Sequence, residues 1–188
     1  MDTKKIINLI KKTESPLKRQ LLAVGLISKL LEERGKSAPL IIGGLALSYY
    51  TREVYFTADI DLAYSDREAL DEALKDIGFK KKGRYWVNED LDLAVEAPAG
   101  VLTGEDSPVE VVELEPGLEC RIIGLEDLII DRLNACKHWK SRVDCEMAEL
   151  LISKYREDLE WSYLKRRAKR PENDVFLELE ELRKKARS

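Results

Sequence analysis

The chain has 188 residues, enough for one good core or for a main domain with a small helical annex. Its 44% hydrophobic content suits a globular protein, and no run approaches eighteen apolar residues, so a membrane span is not expected. A net charge of −4 argues against broad electrostatic binding of nucleic acid, although 36% charged residues leave room for a local basic patch.

The opening segment, MDTKKIINLIKKTESP, alternates apolar and charged residues and lacks the apolar stretch of a secretory signal, so a cytoplasmic protein is expected. Ile6, Ile7, Leu9 and Ile10 lie at helical spacing within residues 2–13. TESP breaks that pattern and places Pro16 in the first turn of a second helix. Leu17, Leu21, Leu22, Val24, Leu26, Ile27, Leu30 and Leu31 carry this helix to about Glu33, and Gly35 stops it.

APLII (38–42) reads as a short buried strand ending at Gly43-Gly44, and LALSYYTR as a short helix. FTADIDLAY follows as a strand, and DREALDEALKDIGF as an amphipathic helix capped near Ser65 or Asp66. Four strand candidates come next: KKKGRYWV, LDLAVEAP, PVEVVEL and ECRII. Asn88-Glu89-Asp90, Pro98-Ala99-Gly100 and Pro116-Gly117 separate them as turn signals. From Gly124 onward helices are expected over about 125–139, 142–157, 159–169 and 172–186. The expected fold is α+β, a mixed sheet flanked by helices, with N-terminal helices over 1–36, a core over 37–124 and a helical region over 125–188.

Cys120, Cys136 and Cys145 are too few and too irregularly spaced for a disulfide framework or a zinc site, and read as buried thiols. With one histidine and no CxxC, any metal must be held by oxygen. One glutamine, four asparagines and abundant Lys, Arg and Glu are features of thermophilic proteins.

A strand that ends in Gly-Gly and opens into a helix presents bare backbone N–H groups, and the helix N-terminus favours negative charge. Gly43 and Gly44 therefore suit a phosphate, although a plain tight turn uses the same residues. Asp59 and Asp61 lie two apart on a strand, so both project from one face while Ile60 turns to the other. Their neighbours Ile60, Leu62 and Ala63 are apolar, so paired acids in this setting call for a cation, and Mg²⁺ suits them. A two-metal site adds a third carboxylate from a neighbouring strand. Asp90, Asp92 and Glu96 share parity, and spacing does not choose among them.

As a set, Gly43, Gly44, Asp59, Asp61 and a later acid resemble the nucleotidyltransferase superfamily to which DNA polymerase β belongs. GGLALSYYTREVYFTADIDLA is similar to the small bacterial and archaeal branch holding minimal nucleotidyltransferases and abortive-infection-type toxin transferases. The resemblance extends through GRYWVNEDLDLAVEAPAGVLTGEDSPV and LEDLIIDRLNACKHWKSRVDCEMAELL and covers roughly residues 38–152. In that branch the strand acid precedes an apolar residue and a proline, as Glu96 precedes Ala97-Pro98, which favours Glu96 over Asp92. The sequence departs from many relatives in having no serine in the glycine turn, which leaves the phosphate contacts to backbone N–H groups.

The resemblance implies a metal-dependent transferase. Asp59, Asp61 and Glu96 would hold Mg²⁺ or Mn²⁺, Gly43 and Gly44 would cradle the phosphates of an NTP, and Arg132 would join the nucleotide cleft. The acceptor hydroxyl would belong to RNA, a protein or a small molecule, with a cognate partner protein as a further implied possibility. Asp131, Lys137, His138 and Arg142 lie in the same stretch, whose core stripe is expected to be Leu128, Ile129, Leu133, Cys136 and Trp139. Lys137 and Lys140 read as surface charges and His138 as a structural hydrogen-bonding residue. Arg52 and Arg84 flank the acidic strands, where either phosphate or surface salt bridges would occupy them. The competing expectation is a catalytically inactive nucleotide-binding or toxin–antitoxin-type interaction protein that retains the fold.

Overall fold

The computed structural model describes residues 2–98 and 107–186 and separates the chain into two compact units, Met1–Ile123 and Gly124–Ser188. In the first unit, α1 (Thr3–Lys12) buries Ile6 and Ile10. Helix α2 (Pro16–Glu33) starts where the Ser15 hydroxyl accepts the Lys18 N–H, with Pro16 in the first position. Buried residues run almost unbroken from Gln20 to Leu31, as for a helix inside a core. Its seat on the sheet is close: a Cβ on Gly25 would come 3.1 Å from the Leu114 and Leu118 side chains, which would have to give way slightly.

Seven strands form one open sheet: β1 (Leu40–Ile41), β2 (Asp59–Ala63), β3 (Lys80–Lys82), β4 (Tyr85–Asn88), β5 (Leu93–Glu96), β6 (Val109–Glu115) and β7 (Leu118–Ile123), in the order β3-β4-β5-β2-β1-β7-β6. β2 pairs parallel with β5 and β1 parallel with β7, while the remaining neighbours are antiparallel. Together with eight helices among the described residues, this is a mixed α/β architecture.

Three elements differ from the sequence expectation. β1 holds two residues rather than five, because Pro39 offers no N–H and Ile42 becomes the extended cap of α3 (Gly43–Thr51). β2 starts at Asp59, not Phe56. KKKGRYWV is two strands rather than one. Gly83, at φ +62°, turns the chain so that Lys82 pairs with Tyr85 across a two-residue hairpin. The loop signal at Pro98-Ala99-Gly100 falls largely on residues outside those described.

Helix α4 (Arg67–Asp76) is capped by Asp66, whose carboxylate accepts the Ala69 N–H. The Lys36 ammonium beside Asp66 and this N–H together hold its carboxyl below the usual range. The Trp86 indole, fully buried on β4, donates to Asp71 on α4 at 2.6 Å and ties the hairpin to that helix.

The second unit contains α5 (Leu125–His138), α6 (Arg142–Lys154), α7 (Trp161–Ala168) and α8 (Phe176–Lys185). Its buried acid Asp127 accepts from the Arg167 Nε at 2.9 Å and the Tyr163 hydroxyl at 2.8 Å. Two expectations fail here. Cys136 and Cys145 are not thiols but a disulfide: the turn between α5 and α6 brings their Cα atoms to 4.7 Å, within bridging range. Trp139 is not core but 79% exposed, because the helix ends at His138 and the ring leaves the apolar stripe. Cys120 in the first unit is buried and free, and desolvation pushes its thiol up to about 12. Among the described residues, no helix is long and apolar enough to cross a membrane.

Candidate functional site: three carboxylates beside a helix N-terminus

β2 alternates half-buried Asp59 and Asp61 with fully buried Ile60 and Leu62, so the apolar residues anchor the strand and both acids leave one face. β5 runs parallel beside it with Asp59 opposite Ala94 and Asp61 opposite Glu96. One carboxylate oxygen from each of Asp59, Asp61 and Glu96 lies within 4.8 Å of the others. Among the described residues no other three acidic, histidine or cysteine side chains gather this closely.

Asp92 and Asp90 are elsewhere. Asp92 is exposed, sits at φ +51° in the turn before β5, and lines a separate small pocket with Arg19 and Phe56. Asp90 lines another with Lys80 and Lys82.

The two glycines abut the acids directly. Gly43 has φ +59°, and a Cβ built there would overlap the Asp61 Oδ2. Gly44 donates its N–H towards the same oxygen at 3.4 Å. A Cβ on Gly44 would meet the Thr57 Oγ1 at 2.8 Å and its Cβ at 2.9 Å. Glycine is thus required at both positions by packing against the acids and Thr57, a reason that sequence reasoning missed. The first turn of α3 faces the carboxylates, and its partial positive charge offsets part of their mutual repulsion.

Thr57 touches Asp59, Gln20 backs Thr57, and Arg84 lies beside Glu96. The Thr57 hydroxyl donates to its Oδ1 at 2.7 Å. The Thr57 carbonyl accepts the Gln20 Nε2 at 3.1 Å, and both Gln20 and Thr57 are buried. Arg84, in the β3–β4 turn and 70% exposed, lies 3.5 Å from Glu96. The Tyr85 hydroxyl, then Glu96 and further off Asp59, raise the Arg84 pKa, so a permanent cation stands at the rim. Arg52 is the exposed, left-handed C-cap of α3.

The residues expected from the helical stretch belong to the second unit. Arg132 pairs with Asp131 and, at 2.7 Å, with Asp144. Lys137 pairs with Asp174 and Glu178, and His138 Nε2 lies 3.0 Å from the Asn173 carbonyl. These contacts knit α5 to α6 and α8.

The donor set fits a hard divalent cation. It is all carboxylate, only half buried, and open to water or ligand oxygens in the remaining positions. Sulfur and imidazole are absent from it, which disfavours the softer metals.

No protein-family model matches the sequence, and no curated protein matches it. Solved structures give a distant likeness. A crystal structure of ANT(2'')-Ia in complex with adenylyl-2''-tobramycin shares 20% identity at TM-score 0.41, over 74% of this chain and 98% of that one. A solution structure of the antibiotic-resistance factor ANT(2'')-Ia shares 18% identity at TM-score 0.39, over 88% and 97%.

Proposed function

We propose that the protein is a metal-dependent nucleotidyltransferase, which moves a nucleoside monophosphate from an NTP to a hydroxyl acceptor. The observation that carries this reading is the convergence of Asp59, Asp61 and Glu96 within 4.8 Å, beside the helix N-terminus that Gly43 and Gly44 open. The resemblance of the glycine turn and acidic strand to the nucleotidyltransferase superfamily supports it.

Asp59, Asp61 and Glu96 would hold Mg²⁺ or Mn²⁺. The bound ion supplies charge neutralisation for phosphate oxygens and geometric alignment of the reacting groups. The chain itself contributes orientation. Thr57 and the first turn of α3 fix the two β2 carboxylates, and the backbone N–H groups of that turn would donate to phosphate oxygens. Arg84 adds positive charge at the rim, where the leaving pyrophosphate carries its excess negative charge. In the reaction the acceptor oxygen bonds to the α-phosphorus and the α–β bridging bond breaks, so pyrophosphate leaves. Glu96 takes the acceptor proton and returns it to water. Catalysis is mainly positioning and electrostatics, as elsewhere in phosphoryl transfer. We assign Arg132, ion-paired with Asp131 and Asp144, to the packing of α5 against α6.

The test is incubation of the protein with each labelled NTP, Mg²⁺ or Mn²⁺, and RNA, protein and small-molecule fractions of a cell extract. Transfer of label to one fraction, lost in Asp59→Asn/Asp61→Asn, is the expected result. Saturable nucleotide binding with no transfer under any metal supports instead an inactive nucleotide-binding protein.

A further inference from the structure

We infer that Thr57 is a positioning residue, whose hydroxyl fixes the Asp59 carboxylate in a metal-ready orientation through a support that reaches back to Gln20 on α2. The inference rests on the metal-site reading above and deepens it. Thr57 precedes the acidic strand by two residues and lies at 8% exposure, where an unsatisfied hydroxyl is costly.

A threonine hydroxyl has one proton to donate. Asp59 Oδ1, at 2.7 Å, is the better of its two acceptors, since the Asp59 carbonyl lies at 3.4 Å. Engaging Oδ1 stops the carboxylate from rotating and leaves Oδ2 for a cation.

Thr57 is held in turn on two sides. Gln20, itself buried, donates to its carbonyl at 3.1 Å. Gly44 packs against its side chain so tightly that even a methyl group at Gly44 would displace it. A single residue thus joins α2, the first turn of α3 and the acid of β2. Such outer hydrogen-bond partners orient ligating carboxylates, and their loss weakens metal affinity by about 10- to 100-fold.

The experiment is a Mn²⁺ titration of the apoprotein, followed by electron paramagnetic resonance of the free ion and paired with the metal-free melting temperature of each variant. Thr57→Val keeps the shape but removes the hydroxyl, and should weaken Mn²⁺ binding by about 10- to 100-fold. Thr57→Ser restores the hydroxyl without the methyl and should bind close to the parent. If Thr57→Val does not fold, Gln20→Met takes its place: it removes the donor to the Thr57 carbonyl and should weaken Mn²⁺ binding in the same direction. Parental affinity in the folded Thr57→Val, or in Gln20→Met where that variant decides, overturns the inference. So does equal weakening in Thr57→Val and Thr57→Ser, since the hydroxyl restored in serine would then not restore binding. A parent that takes up no Mn²⁺ overturns the metal site itself and this inference with it. The parent titration alone distinguishes that outcome from the others.

Discussion

Asp61 and Glu96 are register partners on the parallel strands β2 and β5. Because side chains alternate along a strand, a slip of β5 by one residue would turn Glu96 to the opposite face and leave two acids instead of three. Glu96→Gln should therefore weaken Mn²⁺ binding and lower any transferase rate by two or more orders of magnitude, with little loss of nucleotide affinity. Asp92→Asn should be mild, since Asp92 is exposed and outside the cluster, and asparagine tolerates its left-handed backbone. Parallel titrations and rate measurements on the two variants check this ranking, and the reverse order would move the third ligand to Asp92.

The glycine turn should matter before any nucleotide arrives. Gly44→Ala places a methyl group against Thr57, and Gly43→Ala places one against Asp61 at a positive φ. Both should weaken Mn²⁺ binding in the absence of NTP. Gly43→Ala should also cost about 1 kcal/mol or more of stability from backbone strain, measured by urea unfolding. Metal binding unchanged in Gly44→Ala, with NTP binding reduced, would show that this glycine serves only the phosphates.

The sequence made part of this legible. Helices α1, α2 and α4 follow from apolar spacing, from Pro16 and from the cap near Ser65 or Asp66, all of which are local signals. The shared face of Asp59 and Asp61 follows from the two-residue period of a strand. The meeting of Glu96 with them follows only from the family resemblance, through Ala97-Pro98, because strand order and register are set by packing far along the chain. The β3–β4 hairpin was hidden because a basic, exposed edge strand has no apolar alternation, and Gly83 was its one signal. Thr57 looked like an ordinary strand residue, and only the backbone's departure from β2 turns its hydroxyl back on Asp59.

The disulfide makes a countable prediction. Native, unreduced protein should show no thiol reactive towards a colorimetric disulfide reagent, because Cys120 is buried and its thiol is pushed up to about 12. Unfolding without reductant should release one thiol, and unfolding with reduction three. Closing a loop of about ten residues is worth roughly 2–3 kcal/mol, so Cys136→Ser should lower the melting temperature.

Asp71 should leave a mark on acid stability. The Lys75 ammonium and then the Trp86 indole hold its carboxyl below the ordinary range. A depressed folded-state pKa gives stability that is complete above the unfolded value, near pH 4, and is lost as pH falls through the folded value. Asp71→Asn should be less stable than the parent at pH 7, and the gap should close towards pH 2. Urea unfolding at both pH values measures it. A gap that persists at low pH would assign the effect to packing around Trp86.

The central claim is that Asp59, Asp61 and Glu96 form one divalent-cation site, and a melting experiment with and without Mn²⁺ tests it most directly. At 100-fold excess over the dissociation constant a single site adds about 2.7 kcal/mol, equivalent to a rise of roughly 5 °C or more for a chain of this size. The parent should show that rise. Asp59→Asn/Asp61→Asn should show none, while melting without metal at least as high as the parent, since its repulsion has been removed. An equal response to Mn²⁺ in both proteins, or none in the parent, would contradict the account.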